Sequence, residues 1–102
     1  MLGDLVSGYF LKPASTDYVC RAEFGPPFLR QGEHITADLG WVVQSVSASG
    51  PDLSVVKQFT ARDRSLATVR GGKSGHVYML TSQVRTSFDR TLRRSFVLRV
   101  TG

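Results

Sequence analysis

Clusters of glycine, proline and small polar residues cut this chain into segments of strand length. They fall at Lys12-Pro13, Gly25-Pro26-Pro27, Gln31-Gly32, Ser49-Gly50-Pro51-Asp52, Gly71-Gly72 and Ser87-Phe88-Asp89. Short segments at regular spacing between such signals point to a β-sandwich or barrel. The segments alternate with a period of two, as a half-buried strand requires. Tyr18, Cys20, Ala22 and Phe24 fall on one face, and Val19, Arg21 and Glu23 on the other. Ile35, Ala37, Leu39, Trp41 and Val43 are expected to share a face, as are Tyr78, Leu80 and Val84. Phe96, Leu98 and Val100 form a fourth apolar row, while Val97 does not fit the polar register of Ser95, Arg99 and Thr101.

The sequence predicts strands over about 8–11, 17–24, 34–46, 53–60, 65–70, 76–86 and 91–101, with an extended loop over Gly25–Gly32 and no convincing helix. Leu53–Phe59 has a weak helical pattern, but Val55-Val56 and Phe59-Thr60 favour a strand. The expected fold class is all-β: an Ig-like, antiparallel, two-sheet sandwich of about seven strands. At 102 residues the chain fits one domain, read as a sandwich over 14–102 preceded by an N-terminal arm or first edge strand over 1–13. Trp41, the sole tryptophan, is expected in the core, and Phe88 in a turn or the core.

One cysteine, Cys20, excludes an internal disulfide and supplies too few thiolates for a cysteine-based zinc site. It reads as a small buried hydrophobe. Met1-Leu2-Gly3-Asp4-Leu5-Val6 does not read as a signal peptide, since it lacks a basic start and Asp4 and Ser7 break its apolar run. No apolar run has the length of a membrane helix, so no membrane contact is expected.

The net charge is +5 and lies unevenly. Residues 1–51 hold three basic and five acidic side chains, whereas residues 52–102 hold ten basic and three acidic ones. The later half is rich in arginine, which suits bidentate pairing with carboxylates. Arg85, Arg90, Arg93, Arg94 and Arg99 form the candidate partner-binding surface, with Arg93 and Arg99 on one side of their strand and Arg94 on the other. Aromatic residues do not interleave with these arginines as a single-strand nucleic-acid platform needs, so nucleic acid is not expected as a partner.

Ala67-Thr68-Val69-Arg70-Gly71-Gly72-Lys73-Ser74 fits a relaxed phosphate-loop pattern. That chemistry needs a helix after the glycines. Val77-Tyr78-Met79-Leu80 reads as a strand, so a tight glycine hairpin is expected instead. His34 and His76 lack ligand spacing and read as residues flanking turns. No nucleophile elbow and no acid–base carboxylate pair stands out. The reading is a non-enzyme with no catalytic residues, no metal and no cofactor.

The order of landmarks carries more. Phe10-x-Lys12-Pro13, Asp17-Tyr18 and Phe24 come first, then Gly32-Glu33-x-Ile35 and Trp41. Val69-x-Gly71-Gly72 and Gly75-x-x-Tyr78 follow, and then Thr86, Arg90 and Arg94-Ser95-Phe96-Val97-Leu98-x-Val100. This series resembles the fiber-tail adaptor or neck/tail structural proteins of tailed phages, over about residues 10–100. The spacing from Ile35 to Trp41 is about one residue long against that pattern, which suggests a bulge. A tryptophan usual in the proline-rich linker is replaced by Pro26-Pro27-Phe28-Leu29, and Ser87-Phe88-Asp89 stands where a glycine is usual.

The resemblance implies a virion protein, made in the host bacterial cytoplasm. It would join tail, neck or fiber components through protein–protein contacts, in multiple copies around a ring. Leu2, Leu5 and Phe10 of the N-terminal segment join the candidate partner-binding set, because that segment is too apolar for a free tail. Three rival readings are weighed beside it: an Ig-like module binding glycan or host surface through exposed loop aromatics, a capsid decoration protein, and a protein contacting DNA within the portal channel, whose binding would fall steeply with salt.

Overall fold

The computed structural model describes residues 7–26, 28–46 and 52–102. Leu2 and Leu5 lie outside the described residues. Seven strands follow in chain order: β1 (Gly8–Pro13), β2 (Tyr18–Glu23), β3 (Ile35–Ser45), β4 (Leu53–Thr60), β5 (Arg64–Gly71), β6 (Val77–Thr86) and β7 (Thr91–Thr101). There is no helix among the described residues, and Leu53–Phe59 is strand. The strands form two sheets, ordered β1-β7-β6-β3 and β2-β5-β4. Apolar residues at alternate positions turn inward from both sheets: Cys20 and Ala22 from β2, Ala67 and Val69 from β5, Tyr78, Leu80 and Val84 from β6, and Phe96, Leu98 and Val100 from β7. All are buried, as the period-two alternation predicts. Burial of the Cys20 thiol pushes its pKa up to about 12, which keeps it protonated and inert.

Two expectations need correction. The sandwich is not wholly antiparallel, because β1 runs parallel to β7, with Tyr9 beside Val97 and Leu11 beside Arg99. A parallel pair needs a long crossover, and here almost the whole chain lies between the two strands. The long face expected in β3 is also broken. Its pairing with β6 shifts between Ile35 and Ala37 and again between Asp38 and Gly40. Each bulge turns the strand, so Ile35 and Trp41 are buried whereas Leu39 is 49% exposed.

The bulges serve a polar contact between the sheets. The Asp38 carboxylate accepts the backbone N–H of Gly40 at 2.8 Å, the Ser65 hydroxyl at 2.9 Å and the Thr60 hydroxyl. Ser65 Oγ in turn accepts the Trp41 indole N–H at 2.8 Å. Trp41 therefore sits in the core with its one donor satisfied. Its ring stacks with Phe96, which stacks with Phe10, which meets Tyr18, and this aromatic seam reaches from β3 to β2.

The opposite end of the sandwich is closed at Gly71-Gly72. These glycines do not make the expected hairpin: β5 and β6 lie in different sheets, and the chain crosses between them here. No helix follows, so the phosphate-loop pattern has no helix N-terminus to use. Both glycines have φ of 89°. A Cβ on Gly71 would stand 2.6 Å from the Asp52 carbonyl oxygen, and one on Gly72 2.7 Å from Val100, so glycine alone fits. The Tyr78 hydroxyl accepts the Lys73 N–H at 3.0 Å. Lys12, fully buried, donates to the carbonyls of Gly71 at 2.7 Å, Pro13 at 2.9 Å and Ala14 at 3.4 Å. Three acceptors match the three donors of its ammonium group.

Candidate docking surface

Strand β7 sends its arginines two ways. Even positions share the inward side with Phe96 and Leu98, and odd positions face outward. Arg94, at the rim of the inward side, lies over the Phe28 ring at 4.4 Å and the Phe96 ring at 5.5 Å. It donates to Ser7 Oγ at 3.0 Å and to the Glu23 carbonyl. Burial pulls its pKa down, and the nearby Glu23 opposes that shift.

Arg90, just before β7, holds Glu33 with both arms of its guanidinium, at 2.6 and 2.9 Å, and donates to the Phe28 carbonyl at 2.9 Å. The Glu33 side chain is out of solvent and also accepts the Arg30 N–H at 2.8 Å and the Thr86 hydroxyl. The Arg90 hydrogen bonds, helped by those from Arg30 and Thr86, pull the Glu33 pKa down to about 2 against the cost of burial. The segment after Phe24 is accordingly not the extended loop expected from its prolines. Its described residues form tight turns, with Phe28 N–H on Gly25 O and Leu29 N–H on Phe24 O. Leu29 is thereby placed in the core. Arg90 and Arg94 are thus engaged inside the chain. So is Phe10, whose ring lies between Tyr18 and Phe96.

Arg85, Arg93 and Arg99 remain outward. Arg85 pairs with Asp89, the non-glycine residue at φ 62° in the turn after β6. Phe88 in that turn is 46% exposed, so the turn reading stands and the core reading does not. Arg93 and Arg99 meet no carboxylate among the described residues. The backbone register builds the rest of their surface. Tyr9 stands beside Val97, and Val97 beside Met79. Leu11 stands beside Arg99, and Arg99 beside Val77. Val42 stands beside Thr81 one pair further along β3 and β6. Tyr9 and Leu11 are 77% and 63% exposed, and Val42 and Val46 are also exposed. An apolar stripe therefore crosses β1, β7 and β6 and meets Gln44 on β3, with Val42 diagonal to it, Arg99 beside it and Arg93 beyond the Ser95–Thr81 pair. Val97, the misfit in the polar row, belongs to this stripe.

The three-stranded sheet presents a different outer face. Val19, Phe59, Leu66 and Thr68 line a shallow groove with Lys57 and Gln58. The arginines there are paired: Arg21 with Glu23 at 3.9 Å, Arg64 with Asp63 at 2.9 Å, and Arg70 with Asp17 at 2.9 Å. Hydrogen bonds from Arg70 and Arg64 pull the pKa values of Asp17 and Asp63 down.

The four sheet edges disfavour strand addition. β1 turns Lys12 inward and ends at Pro13, β3 carries two bulges, β4 is bulged between Val55 and Lys57, and β2 is short. These features blunt an edge against pairing with another chain.

The family model described as podophage GP4 fiber-tail adaptor protein gp77 matches residues 13–99. The chain belongs to this family. No curated protein and no solved structure matches it. The resemblance read from the landmarks is thus to the right family. As a member of a structural adaptor family, the chain is read through its surfaces rather than through a reaction centre. No group of three or more His, Cys, Asp or Glu side chains able to hold a metal occurs among the described residues. His34 and His76 lie apart, one before β3 and the other before β6, and both are partly buried. The arginine set suggested by the sequence is divided by the structure into Arg90 and Arg94, which hold the fold, and Arg85, Arg93 and Arg99, which face out. Tyr9 and Met79, which stand outside the candidate set read from the sequence, share this outer face with Leu11. The period-two pattern through Phe10 and Lys12 does place Tyr9 and Leu11 together on the opposite face.

Proposed function

We propose that this protein is a non-enzymatic component of a podophage virion, joining tail and fiber parts through protein–protein contacts in several copies. The observation that carries the reading is the family match over residues 13–99, nearly the whole chain. The outward apolar stripe and its free arginines support it, because they give a rigid domain a surface suited to another protein. We read residues 14–102 together with β1 as one sandwich. We read the fold as Ig-like on two grounds. Its strand order places β3, β6 and β7 in one sheet and β2, β5 and β4 in the other. The Tyr78 hydroxyl also bonds back to the backbone a few residues upstream, as in a tyrosine corner.

An antibody raised against the chain, applied to purified virions and imaged by electron microscopy, tests the assignment. Label at the tail or at the fiber base is expected. Label distributed over the head would make it a decoration protein, and virions without label would remove it from the particle.

A further inference from the structure

Resting on the adaptor reading, we infer that the outer face of the four-stranded sheet docks an acidic, apolar-centred surface of a different protein, and not a second copy of this chain. The cations come first. Arg93 and Arg99 stand on an outward face whose strand positions hold no carboxylate, and the Asp89 at its rim is taken by Arg85. A face of one sign seeks a partner of the other sign.

The chain's own carboxylates come next. Among the described residues every side-chain carboxylate is already engaged. Asp17, Glu23, Glu33, Asp52, Asp63 and Asp89 pair with Arg70, Arg21, Arg90, Lys73, Arg64 and Arg85. Asp38 is taken by Gly40, Thr60 and Ser65. Among the described residues, another copy supplies a carboxylate only by giving up a contact that the carboxylate already makes. Two copies packed face to face oppose like charges, with Arg93 and Arg99 on both sides. The complement to this face therefore lies on a chain of different composition.

The apolar stripe favours protein over nucleic acid. A phosphate backbone rewards dense cations. This face instead offers Tyr9, Leu11, Val97 and Met79 around Arg99, with Arg93 further along β7 beyond the Ser95–Thr81 pair, which is the composition of an interface centre: aromatic, methionine and arginine, without lysine or carboxylate. The partner surface is expected to set apolar side chains against Tyr9 and Leu11 and carboxylates against Arg93 and Arg99.

The test uses phage particles made without this chain, complemented with the purified full-length protein. Bound protein is measured by sedimentation with the particles, and fibers are counted by electron microscopy. The wild-type chain is expected to bind, and its affinity to fall as sodium chloride is raised. R93E/R99E is expected to bind about tenfold or more weakly with an unchanged melting temperature. Y9S/L11S is expected to lose binding as well, through the apolar stripe. V19S/F59S, on the other sheet, is expected to bind within about twofold of wild type.

If R93E/R99E lowers the melting temperature, R93Q/R99Q reads the same charges without reversal, with an expected loss of about fivefold. Wild-type binding by both charge variants overturns the assigned face and leaves the adaptor reading standing. Failure of the wild-type chain to bind any particle overturns the adaptor reading and this inference together. Self-association of the free chain in sedimentation equilibrium, abolished by R93E/R99E, would make the face a contact between copies. Binding to random-sequence duplex DNA, abolished by R93E/R99E while particle binding persists, would assign the face to nucleic acid.

Discussion

On the outer face of the three-stranded sheet, Arg21, Arg64 and Arg70 each lie against a carboxylate of this chain, whereas Arg93 and Arg99 on the outer face of the four-stranded sheet lie against none among the described residues. Both faces expose large apolar side chains, Val19 and Phe59 on one and Tyr9 and Leu11 on the other. They differ in how the chain treats its arginines: the first face pairs Arg21, Arg64 and Arg70 and leaves Lys57 unpaired, whereas the second leaves Arg93 and Arg99 unpaired among the described residues. A cation paired within the chain serves the fold or merely the solubility of its surface. A cation left unpaired beside exposed apolar side chains is available to another molecule. The same rule separates the cations within the sandwich. Lys12 and Arg90 are satisfied by groups of this chain and hold its two ends, so they belong with the fold although their chemistry matches that of the docking arginines.

That division orders the expected effects of removing each cation. Lys12→Ala should be the most damaging, because the carbonyls of Pro13, Ala14 and Gly71 lose their shared donor and the methylene stem leaves a cavity. A loss of about 2–4 kcal/mol is expected in urea denaturation. A loss below about 1 kcal/mol would show that these carbonyls find other donors, and that Lys12 does not hold the end of the sandwich.

Arg94→Ala should come next, at about 1–2 kcal/mol, from the lost stacking on Phe28 and Phe96 and the lost bond to the Glu23 carbonyl. Thermal melts with an unchanged midpoint would move Arg94 back into the docking set.

The Arg90–Glu33 clamp is best read through pH. Its carboxyl group ionises at about 2 in the folded chain against an ordinary value of 4.5. A depressed folded pKa means that the unfolded chain binds the proton more tightly. The stabilisation is therefore fully present above the ordinary pKa and is lost as pH falls through the window from about 4.5 to about 2. Asp17 and Asp63 shift in the same direction at more exposed positions. Glu33→Gln should lower stability at neutral pH and flatten the decline in that window. Parallel stability–pH curves for the two proteins would assign the acid sensitivity to other carboxylates.

Arg70→Ala breaks an exposed, solvent-screened pair with Asp17 and should shift the melting temperature less than Arg94→Ala does. Arg93→Ala and Arg99→Ala should be smallest, within about 0.5 kcal/mol of wild type, because no described carboxylate loses a partner. If either of the last two proves as destabilising as Lys12→Ala, the distinction between the two faces fails.

Local alternation determined most of the architecture. All seven strands occur where turn signals and period-two patterning place them, and the rows through Cys20, Tyr78 and Phe96 face the core. That information is local, since the pleat alone sends successive side chains to opposite sides. The landmark series likewise identified the family, because its glycines and core residues recur in order along the chain. Assignment of strands to sheets was not available from local pattern, so β1 beside β7 in parallel and the inter-sheet crossing at Gly71-Gly72 emerged only from the three-dimensional packing. Ala37 and Leu39 misled because the bulges around Asp38 depend on Ser65 and Thr60, which belong to other strands. The arginines show the same boundary most clearly. Alternation put Arg93 and Arg99 on one side of β7 and Arg94 on the other, but no spacing rule tells a committed arginine from a free one. Arg90 and its carboxylate are 57 residues apart, so only the folded chain brings them together and leaves Arg93 and Arg99 without a carboxylate among the described residues.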